Sequence, residues 1–247
     1  FQGVTTHVTG NCGMGAAPVR ERFLAEVRSE WEYYWSATVD WTWRSFAQYL
    51  RAIEANGAAI NIAPLVGHGA LRIAVMGYAE RAATARELGA MRRLLDASMR
   101  AGAHGLSTGL VYPPGCFADT AEIVALCEVV ARYQGIYTSH IRGERETILE
   151  AVAEAIAIGR AAGVPVEVSH NAPKWGAGEE AKTNLELAER ARREGHDVTV
   201  DNDVHTDLAP RLSRALPQAV IDLPHERLVA YLADPAARPE LRRTVAT

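Results

Sequence analysis

Cysteine is scarce in this chain: Cys12, Cys116 and Cys127 are the only three in 247 residues, and no Cys-x-x-Cys spacing occurs. That excludes a disulfide framework and points to a reducing compartment, with the cytoplasm as the default. No apolar run approaches the roughly 18 residues of a spanning helix, and no signal-peptide pattern opens the chain, which starts without Met at Phe1, directly in an expected strand. Charge of one sign is not concentrated anywhere: the formal net charge is -4, with acids and arginines intermixed. Neither a nucleic-acid nor a membrane-surface field is implied, and the expected partner is a small molecule. Self-association into a homo-oligomer stays open. No Pro/Gly/Ser-rich linker divides the sequence, so one α/β domain is expected over residues 1–247.

What is present is an alternation of short β-branched runs with longer helical stretches. Strands are expected at Val4 to Thr9, Ile60 to Val66, Gly105 to Thr108, Ile136 to Ser139, Val164 to Ser169 and Val198 to Asp201, each followed by a loop. Between them apolar residues recur at helical spacing: Phe46, Leu50 and Ile53; Leu88, Met91, Leu95 and Met99; Ile123, Leu126 and Val130; Ile148, Val152 and Ile156; Leu185, Leu187 and Ala191. Gly57, Gly102, Gly135, Gly163 and Gly195 sit just before the next strand, where a left-handed helix cap is expected. The short apolar strands suit a parallel sheet, either doubly wound or closed as an eight-stranded barrel. The dinucleotide fingerprint Gly-x-Gly-x-x-Gly is missing; Gly10-Asn11-Cys12-Gly13-Met14-Gly15 lacks its spacing. After Val204 the pattern changes to Leu208, Leu212 and Leu216, then a helix near Arg227 to Ala233.

The carboxyl ends of the expected strands carry the chemistry: Cys12, His68, Ser107, His140, His170, and Asp203 with His205. In a parallel barrel that face collects the catalytic groups. Thiolate and imidazole from different strand ends are the ligand types of a borderline-soft divalent cation, zinc above all. Such an ion makes hydroxide available at neutral pH and polarises a carbonyl, so metal-assisted hydrolysis is the expected reaction class.

Each residue has a plainer alternative. A lone Cys12 reads as a small buried hydrophobe, and a single strand-end histidine as a hydrogen-bonded core residue. Ser107 would satisfy backbone groups in a tight Gly105–Gly109 turn; with no Gly-x-Ser-x-Gly elbow it has no nucleophile context. Asp203 and His205 form either a structural pair or a carboxylate and base near the metal. Trp31, Tyr33, Tyr34, Trp35, Trp41 and Trp43 line a substrate loop or, more simply, pack. His7, His104, His196 and His225 are assigned no role.

Gly3-Val4-Thr5-Thr6 through Gly10-Asn11-Cys12-Gly13, then Leu65-Val66-Gly67-His68-Gly69 with Leu71-Arg72 and Val75-Met76-Gly77, set a pattern along the chain. It continues with Gly105-Leu106-Ser107-Thr108-Gly109-Leu110, Tyr112-Pro113-Pro114-Gly115, Ser139-His140-Ile141-Arg142 and Val168-Ser169-His170. In that order, over nearly the whole chain, these segments resemble the N-acyl-D-amino-acid deacylase (D-aminoacylase) family of the amidohydrolase superfamily.

The resemblance implies a (β/α)8 TIM barrel with zinc in its mouth, one or two ions in the intact enzyme, and hydrolysis of N-acyl-D-amino acids to a carboxylate and a D-amino acid. The family's metal ligands fall on Cys12, His140 and His170. His68, Arg72, Ser107, Tyr112, Arg142, Lys174 and His205 are the candidates for substrate contact; Lys174 meets a substrate carboxylate or is a solvated loop lysine. The family's His-x-His pair occurs nowhere here, and its general-base aspartate is expected beyond Thr247. Six of eight strands are legible, with the first, the last and the flanking β-domain missing. The chain is therefore expected to be the central part of one barrel domain, able to hold a metal but inactive by itself.

Two alternatives stand beside this reading. A cyclic amidohydrolase of the dihydroorotase or hydantoinase kind usually carries a carboxylated lysine at a strand end, and neither Lys174 nor Lys182 is at one. A catalytically inactive barrel acting as a binding module is the other.

Overall fold

The computed structural model describes residues 3–28, 39–144, 147–171, 178–202 and 225–245, together with 216, 220 and 223. Six strands lie in one sheet: β1 (Thr6–Thr9), β2 (Asn61–Gly67), β3 (Gly105–Gly109), β4 (Ile136–His140), β5 (Val166–Val168) and β6 (Val198–Val200). Every neighbouring pair is parallel, and the spatial order equals the chain order. A doubly wound sheet reverses its strand order at a switch point. This sheet never reverses, which resolves the two expected architectures in favour of barrel winding.

Helices α1 (Phe46–Asn56), α2 (His68–Met76), α3 (Ala85–Arg100), α4 (Thr120–Ala131), α5 (Ile148–Ala162) and α6 (Gly178–Arg193) connect the strands, with α2 and α3 both between β2 and β3. Their starts are encoded locally. Ser45 and Gln48 form a capping box on α1, and Thr84 and Glu87 form one on α3, so two backbone donors per helix are satisfied reciprocally. Asp119 caps α4, accepting from the Glu122 amide at 2.8 Å.

The register explains where core and site lie. Val66, Leu106, Tyr137, Val166 and Val198 are aligned across β2 to β6 and belong to the apolar cluster shared with the helices. One residue on, Gly67, Ser107, Thr138, Glu167 and Thr199 form the next aligned row, on the opposite face of the pleat. Bulky branched residues usually fill a barrel interior; here that row is polar. On the helix side Leu95, Ile123 and Leu126 are fully buried, each contributing about 1.5–3 kcal/mol by leaving water.

Two local expectations are corrected. No loop follows β2: Gly67 is both its last residue and the N-cap of α2. The run from Ile60 to Met76 is apolar almost throughout, so its period does not separate strand from helix. The other correction concerns Gly135. Gly57, Gly102, Gly163 and Gly195 have positive φ as expected, but after α4 the left-handed residue is Gln134, with φ 54°. Gly135 is required by crowding instead: a Cβ there would stand 2.8 Å from Val130 Cγ1 and 2.9 Å from His104 O.

Residues Asp203–Thr247 form a second compact unit, separate from Phe1–Asn202. It contains α7 (His225–Ala233), starting two residues before the expected Arg227, and α8 (Arg238–Val245). Between them a turn over Pro235–Ala237 is capped by Asp234, which accepts from the Ala236 amide at 2.8 Å. Trp31, Tyr33, Tyr34, Trp35, Lys174, Asp203 and His205 lie outside the described residues. Among the described residues no helix is long and apolar enough to cross a membrane.

Candidate metal centre

The segment after β1 is folded onto the ends of its neighbours with no room to spare. Gly13 O accepts from the Gly69 amide at 2.9 Å, and a Cβ at Gly67 would stand 2.5 Å from that same oxygen. Ser107, fully buried on β3, accepts from the Gly13 amide at 3.1 Å and donates to Gly10 O. Tyr112 donates its hydroxyl proton to Cys12 O. Cys12 itself has φ 59°, a region a side-chain-bearing residue occupies only when its surroundings over-determine it. These contacts supply that determination and fix where its sulfur points.

His140 ends β4, opposite Gly109 in register, and its carbonyl accepts from the Leu110 amide at 3.0 Å. His170 lies two residues past β5, with φ 57°. Its backbone amide donates to Asp201 Oδ1 at 2.6 Å, and Nδ1 is 3.8 Å from the same oxygen. The rings of His140 and His170 stand edge to face at 5.2 Å, and those of Tyr112 and His140 at 5.3 Å.

One donor atom from each of Cys12, His140 and His170 lies within 4.8 Å of the others, and Cys12 Sγ is 3.1 Å from His170 Nε2. Zinc–sulfur and zinc–nitrogen bonds of about 2.3 and 2.0–2.1 Å put tetrahedral ligand atoms roughly 3.5 Å apart. The present spacing differs from that by a few tenths of an ångström for the Cys12–His170 pair. One thiol and two imidazoles also match the donor chemistry, so these residues fit a zinc ion.

The other candidates divide. Gly105–Gly109 is a strand rather than a turn, and Ser107 satisfies backbone groups of the Cys12 segment, not its own. Ser107→Ala should therefore cost about 1–3 kcal/mol, the penalty for leaving the buried Gly13 amide unpaired. A urea midpoint equal to that of the parent would remove this role.

His68 and Arg72 were expected near substrate, but both are 0 % exposed and face Glu122. Glu122 Oε1 is 2.7 Å from His68 Nε2, Arg72 Nη1 donates to both carboxylate oxygens at 2.9 and 2.8 Å, and Arg72 Nη2 donates to Arg81 O at 2.6 Å. They offer no surface to a ligand. Burial opposes the charge on Glu122, yet the bonds from His68 and Arg72 hold its carboxyl below the usual range. Burial also lowers the pKa of His68 against the pull of Glu122. The triad is thus Arg⁺, Glu⁻ and neutral His, with no net charge.

Arg142 is one-third exposed and bound through two nitrogens to Glu154, at 2.9 and 3.0 Å. Lys182 sits within α6 and not at a strand end. Trp41 and Trp43 are buried, 5.4 Å apart, and Trp43 Nε1 donates to Ala16 O at 2.7 Å, so these two pack against the segment after β1. Cys127 is buried in α4, where burial pushes its thiol up and leaves it inert.

Sequence reasoning missed Glu122, Glu144 and Asp201. His68 and Arg72, one helical turn apart on α2, were the available signal for Glu122, since two such groups on one buried face need a carboxylate.

No family model matches the chain. It is 41 % identical over 207 residues to a D-aminoacylase of Alcaligenes xylosoxydans xylosoxydans, covering 81 % of this chain and 40 % of that protein. An N-acyl-D-aspartate deacylase of the same organism is 43 % identical over 174 residues, covering 69 % and 34 %. The solved structure of N-acyl-D-glutamate deacylase from Bordetella bronchiseptica, complexed with zinc and a phosphonate inhibitor, aligns with a TM-score of 0.71 at 38 % identity. That alignment covers 83 % of this chain and 42 % of the other. The chain thus spans about 40 % of the length of the D-aminoacylase it matches. Its parallel sheet in unbroken chain order and the agreement along most of its length identify it as a member of the N-acyl-D-amino-acid deacylase (D-aminoacylase) family of the amidohydrolase superfamily.

Proposed function

We propose that residues 1–247 are the central, metal-holding part of one barrel domain of a zinc-dependent hydrolase that cleaves N-acyl-D-amino acids to a carboxylate and a D-amino acid. The convergence of Cys12, His140 and His170 carries this reading. When bound, zinc supplies Lewis acidity toward the scissile carbonyl and hydroxide at neutral pH. The chain's own part is to hold the ion through those three side chains and to fix their directions through Ser107, Tyr112 and Asp201. Among the described residues they form the sole cluster of three or more such donors, which supports one zinc held by this chain.

Tyr112 reaches the centre from β3's side, its ring against His140, and stands as a substrate contact. Lys174 and His205 remain substrate candidates on the resemblance, and Arg142 is kept among them because it is partly exposed while paired. D-Configuration follows from the relatives, whose names read D-aminoacylase, N-acyl-D-aspartate deacylase and N-acyl-D-glutamate deacylase, so the side chain stays open. Cysteine scarcity without any Cys-x-x-Cys spacing supports a reducing, cytoplasmic setting.

The test has two readouts. The purified chain should hold zinc near one per chain by elemental mass spectrometry. A form spanning the full length of the relatives should release the amine from N-acetyl-D-amino acids, should not act on the L series, and should lose activity to a chelator. Full activity in the chelated form, or equal rates on both series, would overturn this function.

A further inference from the structure

Glu144, four residues beyond His140, is the carboxylate that meets the centre's most buried imidazole. Its Oε1 lies 2.8 Å from His140 Nε2, and the two side chains are 12 % and 10 % exposed. The turn between them is tight: a Cβ at Gly143 would stand 3.0 Å from Thr147 Cβ, so glycine lets the chain double back and return Glu144 to the ring. Glu144 is not among the donors that lie within 4.8 Å of one another, so its carboxylate partners His140 without being a fourth member of that group.

An ionised carboxylate only accepts, so the proton in this contact belongs to Nε2. The ring then carries its lone pair on Nδ1, which is buried. Ring rotation is restricted as well, with Tyr112 and His170 both edge to face at 5.3 and 5.2 Å. At His170, Asp201 takes the backbone amide at 2.6 Å and stands 3.8 Å from Nδ1.

We propose that Glu144 is a positioning residue that fixes His140 as the Nε2–H tautomer and turns its Nδ1 lone pair toward Cys12 and His170. The consequence for metal binding rests on the zinc reading above; the tautomer does not. A neutral imidazole released from such a partner divides between two tautomers, only one of which presents the lone pair inward. Outer partners of this kind typically change metal affinity by about 10–100-fold.

The test is nitrogen-15 NMR of the histidine-labelled, metal-stripped chain at about pH 8, where an ordinary imidazole is neutral, followed by zinc titration. The parent should show His140 protonated at Nε2. Glu144→Ala should give a tautomer mixture and a zinc Kd raised about 10–100-fold. Glu144→Gln, whose amide oxygen still accepts, should keep the parent's tautomer and most of its affinity. An Nδ1–H resonance for His140 in the parent overturns the proposal without any variant having to fold, and so does Glu144→Ala with the parent's tautomer. A parent that takes up no zinc sinks the metal reading instead, and the ring-nitrogen comparison, made without metal, still decides the role of Glu144.

Discussion

Glu122→Ala is expected to destabilise the Phe1–Asn202 unit by about 3–5 kcal/mol, because it leaves a fully buried guanidinium without its counter-charge. Arg72 is 0 % exposed and two of its bonds go to Glu122, while His68, equally buried, donates to the same carboxylate at 2.7 Å. The substitution also removes a side chain packed at the start of α4, under the Ala83 amide that donates to it at 3.4 Å. For a unit of this size a loss of that order lowers Tm by roughly 10 °C. Urea denaturation should show the lower midpoint with an unchanged slope, since the surface exposed on unfolding is the same. Glu122→Gln should cost less, as the amide oxygen still accepts one bond.

The same triad sets a pH dependence whose sign follows from two shifts. Burial lowers His68 below its ordinary 6.5, so on acidification the unfolded chain takes up that proton before the folded one. Glu122 is held below its ordinary 4.5 by His68 and Arg72 despite burial, so its stabilisation is present above that value and lost as pH falls through the folded-state pKa. Both contributions favour unfolding in acid. Stability should begin to fall below about pH 6.5 and fall further below about pH 4.5. Constant urea midpoints across that range would refute the neutral-His assignment.

Most strands were legible as short β-branched runs, and β2 to β6 each follow a helix and a glycine. Val166–Val168 and Val198–Val200 fall inside the expected segments for that reason. α2 was not legible, because a helix buried on nearly every side has no polar face to give it a period. At the centre, Cys12, His140 and His170 could be read from the sequence since a parallel sheet in chain order brings successive strand ends to one side.

Their supports could not be read. Glu122 and Glu144 stand near helix starts, where a carboxylate ordinarily serves as a capping or dipole group exposed to water. Only the folded chain shows that one faces Arg72 and the other His140. The partner of Ser107 is hidden for a related reason: Gly-Leu-Ser-Thr-Gly has turn composition, but its glycines are there because neighbouring backbones come close. At Gly109 an added Cβ would collide with Cys12 O and the Tyr112 ring, so the residue is small to admit the segment that carries the sulfur.

Removing a ligand should have a larger effect on zinc than removing any support. Structural zinc sites with four ligands bind with about 10–16 kcal/mol, so one ligand represents roughly 3 kcal/mol, or about 100-fold in Kd. In a three-residue site the fraction is greater, and His170→Ala should leave less zinc than elemental analysis can assign to the chain. Cys12→Ala should act alike, and Cys12→Ser should not rescue, because a hydroxyl does not ionise as a thiol does. Neither change should unfold the chain: His170 is more than a quarter exposed, and the Cys12 segment is held by Ser107, Gly69 and Tyr112 through its backbone. Loss of metal with an unchanged circular dichroism spectrum is therefore the expected pair of results. Stoichiometric zinc retained by His170→Ala would move the ligand set elsewhere, since among the described residues no other group of donors comes together closely enough to replace it.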